Sequence, residues 1–279
     1  MPETLRFARS GTGAVGAAIL LIVVAIALVG PLVAPHGPTR PVGIPYEGSS
    51  SEAWLGTDFL GRDVLSRLLW GGRSVIVLAG LSVLLAYAGG LVLGLAAGYS
   101  RGPLDSILMR SADVLLSLPA LLFLLVLVTG LGSSRAVLVV GVALIQMPLV
   151  ARIVRSATQT QSVRGFVEAA AARGESTAAI LRREILPNIV PTISADIGLR
   201  LTYAIILVAS VNFLGLGLQP PDADWGLMVS ENRSGLNLNP LAVLAPATMI
   251  ALLTIAVNMI GDAVARQQGV STTEVGART

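Results

Sequence analysis

The chain has 279 residues, of which 54% are hydrophobic and only 13% charged, with a mean hydropathy of +0.79. A soluble domain carries about 25% charged residues, so the deficit points to an all-α polytopic membrane protein whose apolar surface faces lipid. Net charge is only +3, all 19 basic residues are arginine and no basic run exceeds Arg182-Arg183, which argues against a nucleic-acid partner despite the high isoelectric point.

In chain order, the first apolar run is Ala14 to Ala34, free of charge and preceded by Arg6 and Arg9. Signal-peptide cores span about 7–15 residues, so this longer run reads as a retained signal-anchor helix. His36 follows in a Pro-rich loop and is read as a surface loop residue. Because it is the only histidine and cysteine is absent, no metal site and no catalytic residue is expected. The connection from Gly37 to about Arg73 turns helical near Gly61. Val64, Leu65, Leu68 and Leu69 form one apolar stripe there, opposite Arg62, Asp63, Ser66 and Arg67. That pattern suits a helix lying in the membrane interface.

The second apolar run is Ser74 to Gly98, in which Gly89, Gly90, Gly94 and Gly98 suit close helix packing. A third runs from Val114 to Leu131 and a fourth from Ala136 to Ala151; the fourth is short against the roughly 20 residues a span needs and must borrow from its flanks. Pro119, Pro148 and Pro246 are expected to kink helices. The fifth run, about Ile189 to Leu218, carries Asp196 and Arg200 at i, i+4 near its start, either as an ion pair or as pathway residues. Gln146, Asn212 and Asn258 either line the pathway or join helices through hydrogen bonds, and packing is the favoured reading. The external link from Gln219 through Gly226 and onward to Asn239 opens with two prolines and a glycine, which argue against a helix through it, and Trp225 is of the type found at headgroup level. The sixth run is Leu241 to Gly261, followed by a polar tail after Arg266.

Six crossings with an internal N-terminus place both termini in the cytoplasm. Only Arg40, Arg62, Arg67, Arg73, Arg135 and Arg233 then lie outside, leaving thirteen arginines within, the bias that the positive-inside tendency favours. The polar segment 155–187 therefore faces the cytoplasm. Helical spacing over 158–173 sets Ser162, Phe166, Ala169 and Arg173 along one side. Four alanines follow Glu168, Gly174 is placed to end the helix, and Ser176 or Thr177 is placed to cap a second short one that Pro187 stops. The product is a compact helical knob of a shape suited to a cleft on another protein.

Four segments together resemble the peptide/nickel family of ABC importer permeases. They are Gly56-Thr57-Asp58 with Gly61-Arg62-Asp63 and Arg67; Gly98 through Asp105, Arg110, Asp113 and Pro119; Glu168-Ala169-Ala170 with Arg173-Gly174 and Ile185-Leu186-Pro187; and Phe213 through Pro221 with Trp225-Gly226, Asn258 and Asp262. One departure stands in the third, where Glu184 occupies a position that the general pattern fills with an apolar residue. The resemblance implies the type I importer fold with six transmembrane helices. It divides the chain into an N-terminal part (1–73), a transport domain (74–265) whose EAA coupling loop spans 155–187, and a tail (266–279). It implies a heterodimer with a second homologous permease, two cytoplasmic ATPase subunits gripping the EAA loop, and an extracytoplasmic binding protein. ATP would be held by those ATPase subunits, since this chain has no lysine for a phosphate loop. The implied function is passage of peptides across the inner membrane; nickel or another small solute is the alternative within the class. A stand-alone secondary transporter would call for paired mid-membrane charges and an inverted repeat, and an intramembrane protease for a nucleophile with a base.

Overall fold

The computed structural model describes residues 11–100 and 102–267; the expectations for Arg6, Arg9, Arg101 and the tail from residue 268 onward lie outside them. Apart from the loop 34–63 and shorter connections, the described chain is helical: α1 (Gly11–Val33), α2 (Val64–Ser100), α3 (Pro103–Leu116), α4 (Ala120–Leu131), α5 (Arg135–Gln161), α6 (Gly165–Ala172), α7 (Thr177–Ile180), α8 (Leu186–Phe213), α9 (Trp225–Asn232) and α10 (Leu241–Gln267). Five stretches are long and apolar enough to cross a membrane: α1, α2, α5, the continuous run 177–213 and α10. The sixth candidate span is the pair α3 and α4, which passes the same test only when taken together and is bent by 83° at Ser117–Pro119. The third span is thus not the single helix expected from Val114. Pro119 breaks it, and the 12 residues of α4 reach only about 18 Å at 1.5 Å per residue.

The core is the packing of α2 along α5, and its closeness comes from glycine. A side-chain carbon on Gly94 would lie 2.6 Å from Val154 Cβ, and one on Gly98 would lie 2.7 Å from Thr158 Cβ, so the small stripe is filled by the partner's β-branched residues, as small-residue stripes in membrane helices generally are. Helix α5 borrows its missing length at its C-terminal flank, reaching Gln161. Helix α8 is tied to α2 by the Tyr87 hydroxyl, which donates to Asp196 Oδ2 at 2.8 Å. Asp196 and Arg200 form an ion pair at 3.0 Å with both side chains under 10% exposed.

Two ends are thereby defined. One carries the loop 34–63, the N-terminal turns of α2, and α9. The other carries α3, α6 and α7, with the N-terminal end of α1 held to the C-terminal end of α10 by Arg266 Nη2 donating to Thr12 Oγ1 at 2.9 Å.

Candidate functional site: a locked cap and an exposed knob

At the first end the structure corrects the interfacial-helix expectation. Helix α2 runs 37 residues without a break, and its polar side turns into protein rather than toward water. Asp58, Arg62, Arg67 and Glu231 make a neutral buried quartet. Asp58 Oδ2 accepts from Arg62 Nε and Arg67 Nη1, each at 2.7 Å, and Glu231 Oε2 accepts from Arg67 Nη1 at 2.6 Å and Arg62 Nη2 at 3.3 Å. None of the four side chains exceeds 7% exposure. Charges taken from water this completely are tolerated only when paired and hydrogen-bonded.

The rest of the motif builds the turn that holds the quartet. Gly56 (φ +73°) and Gly61 (φ +72°) take left-handed backbone, and any side chain on Gly61 would run into the Gly43 carbonyl. Thr57 donates to Ile44 O and accepts from Glu47 N. Asp63 caps α2 by accepting from the amides of Leu65 and Ser66 at 3.1 and 3.0 Å. His36 is half-buried, not a free surface residue, because its Nδ1 sits 3.5 Å from Asp63 Oδ2.

Helix α9 was not expected, and its signal was Asp224 rather than periodicity. Asp224 Oδ1 accepts from the amides of Gly226 and Leu227, starting a helix four residues after Pro221. Trp225 is fully buried, with Nε1 donating to Leu68 O at 2.8 Å; it is a core residue, not a headgroup anchor. Asn212 and Asn239 join parts of this end through hydrogen bonds to Asp224 and to the Leu55 and Thr57 carbonyls. Asn258, by contrast, is exposed on α10. Glu231 went unnoticed in the sequence because an isolated acid carries no pattern of its own.

At the other end the chain turns at 162–164, so the single helix expected over 158–173 is two. Helix α6 ends as its glycine requires: Gly174 has φ +77°, its amide donates to Ala171 O at 3.0 Å and the Glu175 amide to Ala170 O at 3.2 Å. That double bond is the Schellman closure. Ser176 then caps α7 by accepting from the Ala179 amide. Pro187 does not stop the second helix. A π turn over Leu181–Ile185 has already shifted the ladder, with the Leu186 amide bonding to Leu181 O, and Pro187 falls in the first turn of α8, where its missing N–H costs little.

The knob has its own small core. Val167 and Ala170 of α6 pack with Ile180 and Ile185, all buried, and with Leu181 and Leu186. Glu168, Ala169, Arg173, Gly174 and Pro187 point to the exposed surface, as do Arg164, Arg182 and Arg183. Glu184, at the position the family pattern makes apolar, stays half-buried with Oε1 3.9 Å from Arg173 Nη2, which also donates to Glu175 Oε1 at 2.6 Å.

Residues 90–269 match the family model for the binding-protein-dependent transport system inner membrane component, and residues 4–48 match the N-terminal TM domain of oligopeptide transport permease C. The chain belongs to this permease family. It is 38% identical, over 92% of its length and 86% of the relative's, to the glutathione transport system permease protein GsiD of Pectobacterium atrosepticum. It is 34% identical to the di/tripeptide transport system permease protein DppC of Pseudomonas aeruginosa, over 92% and 87%, and 33% identical to the dipeptide permease DppC of Haemophilus influenzae, over 92% and 89%. In fold it matches a chain of the inward-facing MetNI methionine ABC transporter with a TM-score of 0.59 at 17% identity, over 72% of this chain and 96% of that one. The permease is therefore a multi-pass inner-membrane transport subunit of an ABC importer with the type I transmembrane fold, and not an enzyme.

Proposed function

We propose that this permease passes short peptides inward, in the size range of di- and tripeptides and glutathione, under the drive of a cytoplasmic ATPase seated on the knob. The observation that carries the reading is mechanical. The knob is exposed on its Glu168–Ala169 side and closed by Gly174, and its second helix, the π turn and α8 form one continuous run of 37 residues, 177–213. That run spans about 55 Å at 1.5 Å per residue, so a push on the knob is delivered to the opposite end of the bundle. The relatives' substrates support the peptide class. In this reading a second homologous permease completes the pathway, two ATPase subunits bind the ATP, and an extracytoplasmic binding protein presents the peptide. Both termini lie in the cytoplasm with the knob, in keeping with the arginine bias.

Co-purification with the ATPase subunits tests this. Wild type retains them, while Gly174→Asp and Glu168→Arg lose them although still inserted in the membrane. Equal retention by wild type and both variants would remove the knob from the coupling role.

A further inference from the structure

Beside the locked cap lies a cavity of about 450 Å³ that the quartet does not use. Its walls come from the loop after α1, the first turns of α2, the start of α5 and the segment after the two prolines, with Val77 and Leu78 supplying apolar surface. Its charged chemistry is concentrated in three side chains. Arg73 commits Nε and Nη2 to the carbonyls of Ala27 and Leu28, and its Nη1 makes no hydrogen bond among the described residues. Arg135 Nη2 reaches both carboxylate oxygens of Asp222 at 3.0 Å, and that pair is exposed, at 66% and 38%.

We infer that this cavity is a receiving subsite for a zwitterionic short peptide on the permease itself. The inference rests on the importer reading above. An exposed ion pair contributes only about 0–1 kcal/mol, so Arg135 and Asp222 part at little cost. A ligand bearing both charges replaces one exposed pair with two: its carboxylate meets the Arg135 and Arg73 guanidiniums, and its ammonium meets Asp222. A ligand carrying only an anion meets repulsion from Asp222, and one carrying only a cation meets it from the two arginines. The cavity falls within the roughly 300–1,000 Å³ of small-molecule sites. Its wall is also held rigid, because Arg67 of the quartet donates to Asp222 O at 3.3 Å.

Saturation-transfer NMR of L-Ala-L-Ala with the assembled transporter, without binding protein, in phosphatidylglycerol nanodiscs tests the subsite. Wild type is expected to give a signal that N-acetyl-Ala-Ala-amide does not. Arg135→Gln and Asp222→Asn are each expected to lower it at least threefold while the complex still retains its ATPase. A wild-type signal no greater than that of the blocked peptide, or one unchanged in either variant, overturns the subsite. So does a signal abolished when phosphatidylethanolamine replaces phosphatidylglycerol, because the occupant is then a zwitterionic lipid headgroup. Uptake of the same dipeptide with binding protein present is measured in parallel. Uptake without a subsite signal defeats this inference alone, whereas loss of wild-type uptake and of ATPase retention defeats the importer reading.

Discussion

The two ends of this permease use the same residue types in opposite ways. At the cap, Asp58, Arg62, Arg67 and Glu231 are turned inward and neutralise one another almost without water. At the knob, Arg164, Arg182 and Arg183 are exposed, and the Arg173–Glu175 pair is solvated, at 59% and 24%. A buried charge that loses its partner is expensive, while a solvated one is cheap. The cap is therefore built to stay as it is, and the knob to offer its charge to something else.

The largest expected effect breaks the cap. Arg67→Ala leaves the carboxylates of Asp58 and Glu231 with Arg62 alone and opens a void where a fully buried side chain stood. Removing one partner of a buried pair costs about 3–5 kcal/mol, so the apparent melting temperature of the purified protein is expected to fall by several degrees. A melt equal to wild type would mean that the quartet is not what holds loop 34–63 to α2 and α9.

What the sequence revealed follows the same division. Helix existence, the glycine stripe on α2 and the helix end at Gly174 were legible because they rest on local pattern: hydropathy, small-residue spacing and a left-handed turn. The knob's overall shape was legible for that reason too. The quartet was not, because Arg67 and Glu231 are 164 residues apart, and amphipathic spacing at 62–69 reads the same whether the polar side meets water or a buried carboxylate. Trp225 misled for a related reason, since an indole suits a headgroup layer or a core with a carbonyl in reach, and only the fold supplies Leu68 O. Pro187 misled because proline's cost depends on whether the ladder it interrupts was there; the π turn before it had already displaced the ladder.

A smaller effect tests the knob's closure without touching the cap. At Gly174 a side-chain carbon would meet nothing within 4 Å, so Gly174→Ala suffers only from its φ of +77°. That strain is about 1–2 kcal/mol, or roughly tenfold in a local opening equilibrium. Amides of α6 and α7 are expected to exchange roughly tenfold faster while the global melt stays at the wild-type value. A global shift would mean that the knob is fused energetically to the bundle rather than closed by its own turn.

The smallest effect on stability is the most informative about the knob's charge. Arg173 is more than half exposed, and its bond to Glu175 is worth no more than a fraction of a kcal/mol once water screens it. Arg173→Ala is therefore expected to leave both the melt and the exchange of α6 unchanged. If the exposed cation serves a docking partner, the same variant weakens ATPase retention, and more so at low than at high ionic strength, because exposed charges act over a distance that salt shortens. Loss of retention together with faster exchange would instead make Arg173 a strut between Glu175 and Glu184, and the contrast between a self-contained cap and an outward-facing knob would then hold for Arg164, Arg182 and Arg183 but not for the residue nearest the turn.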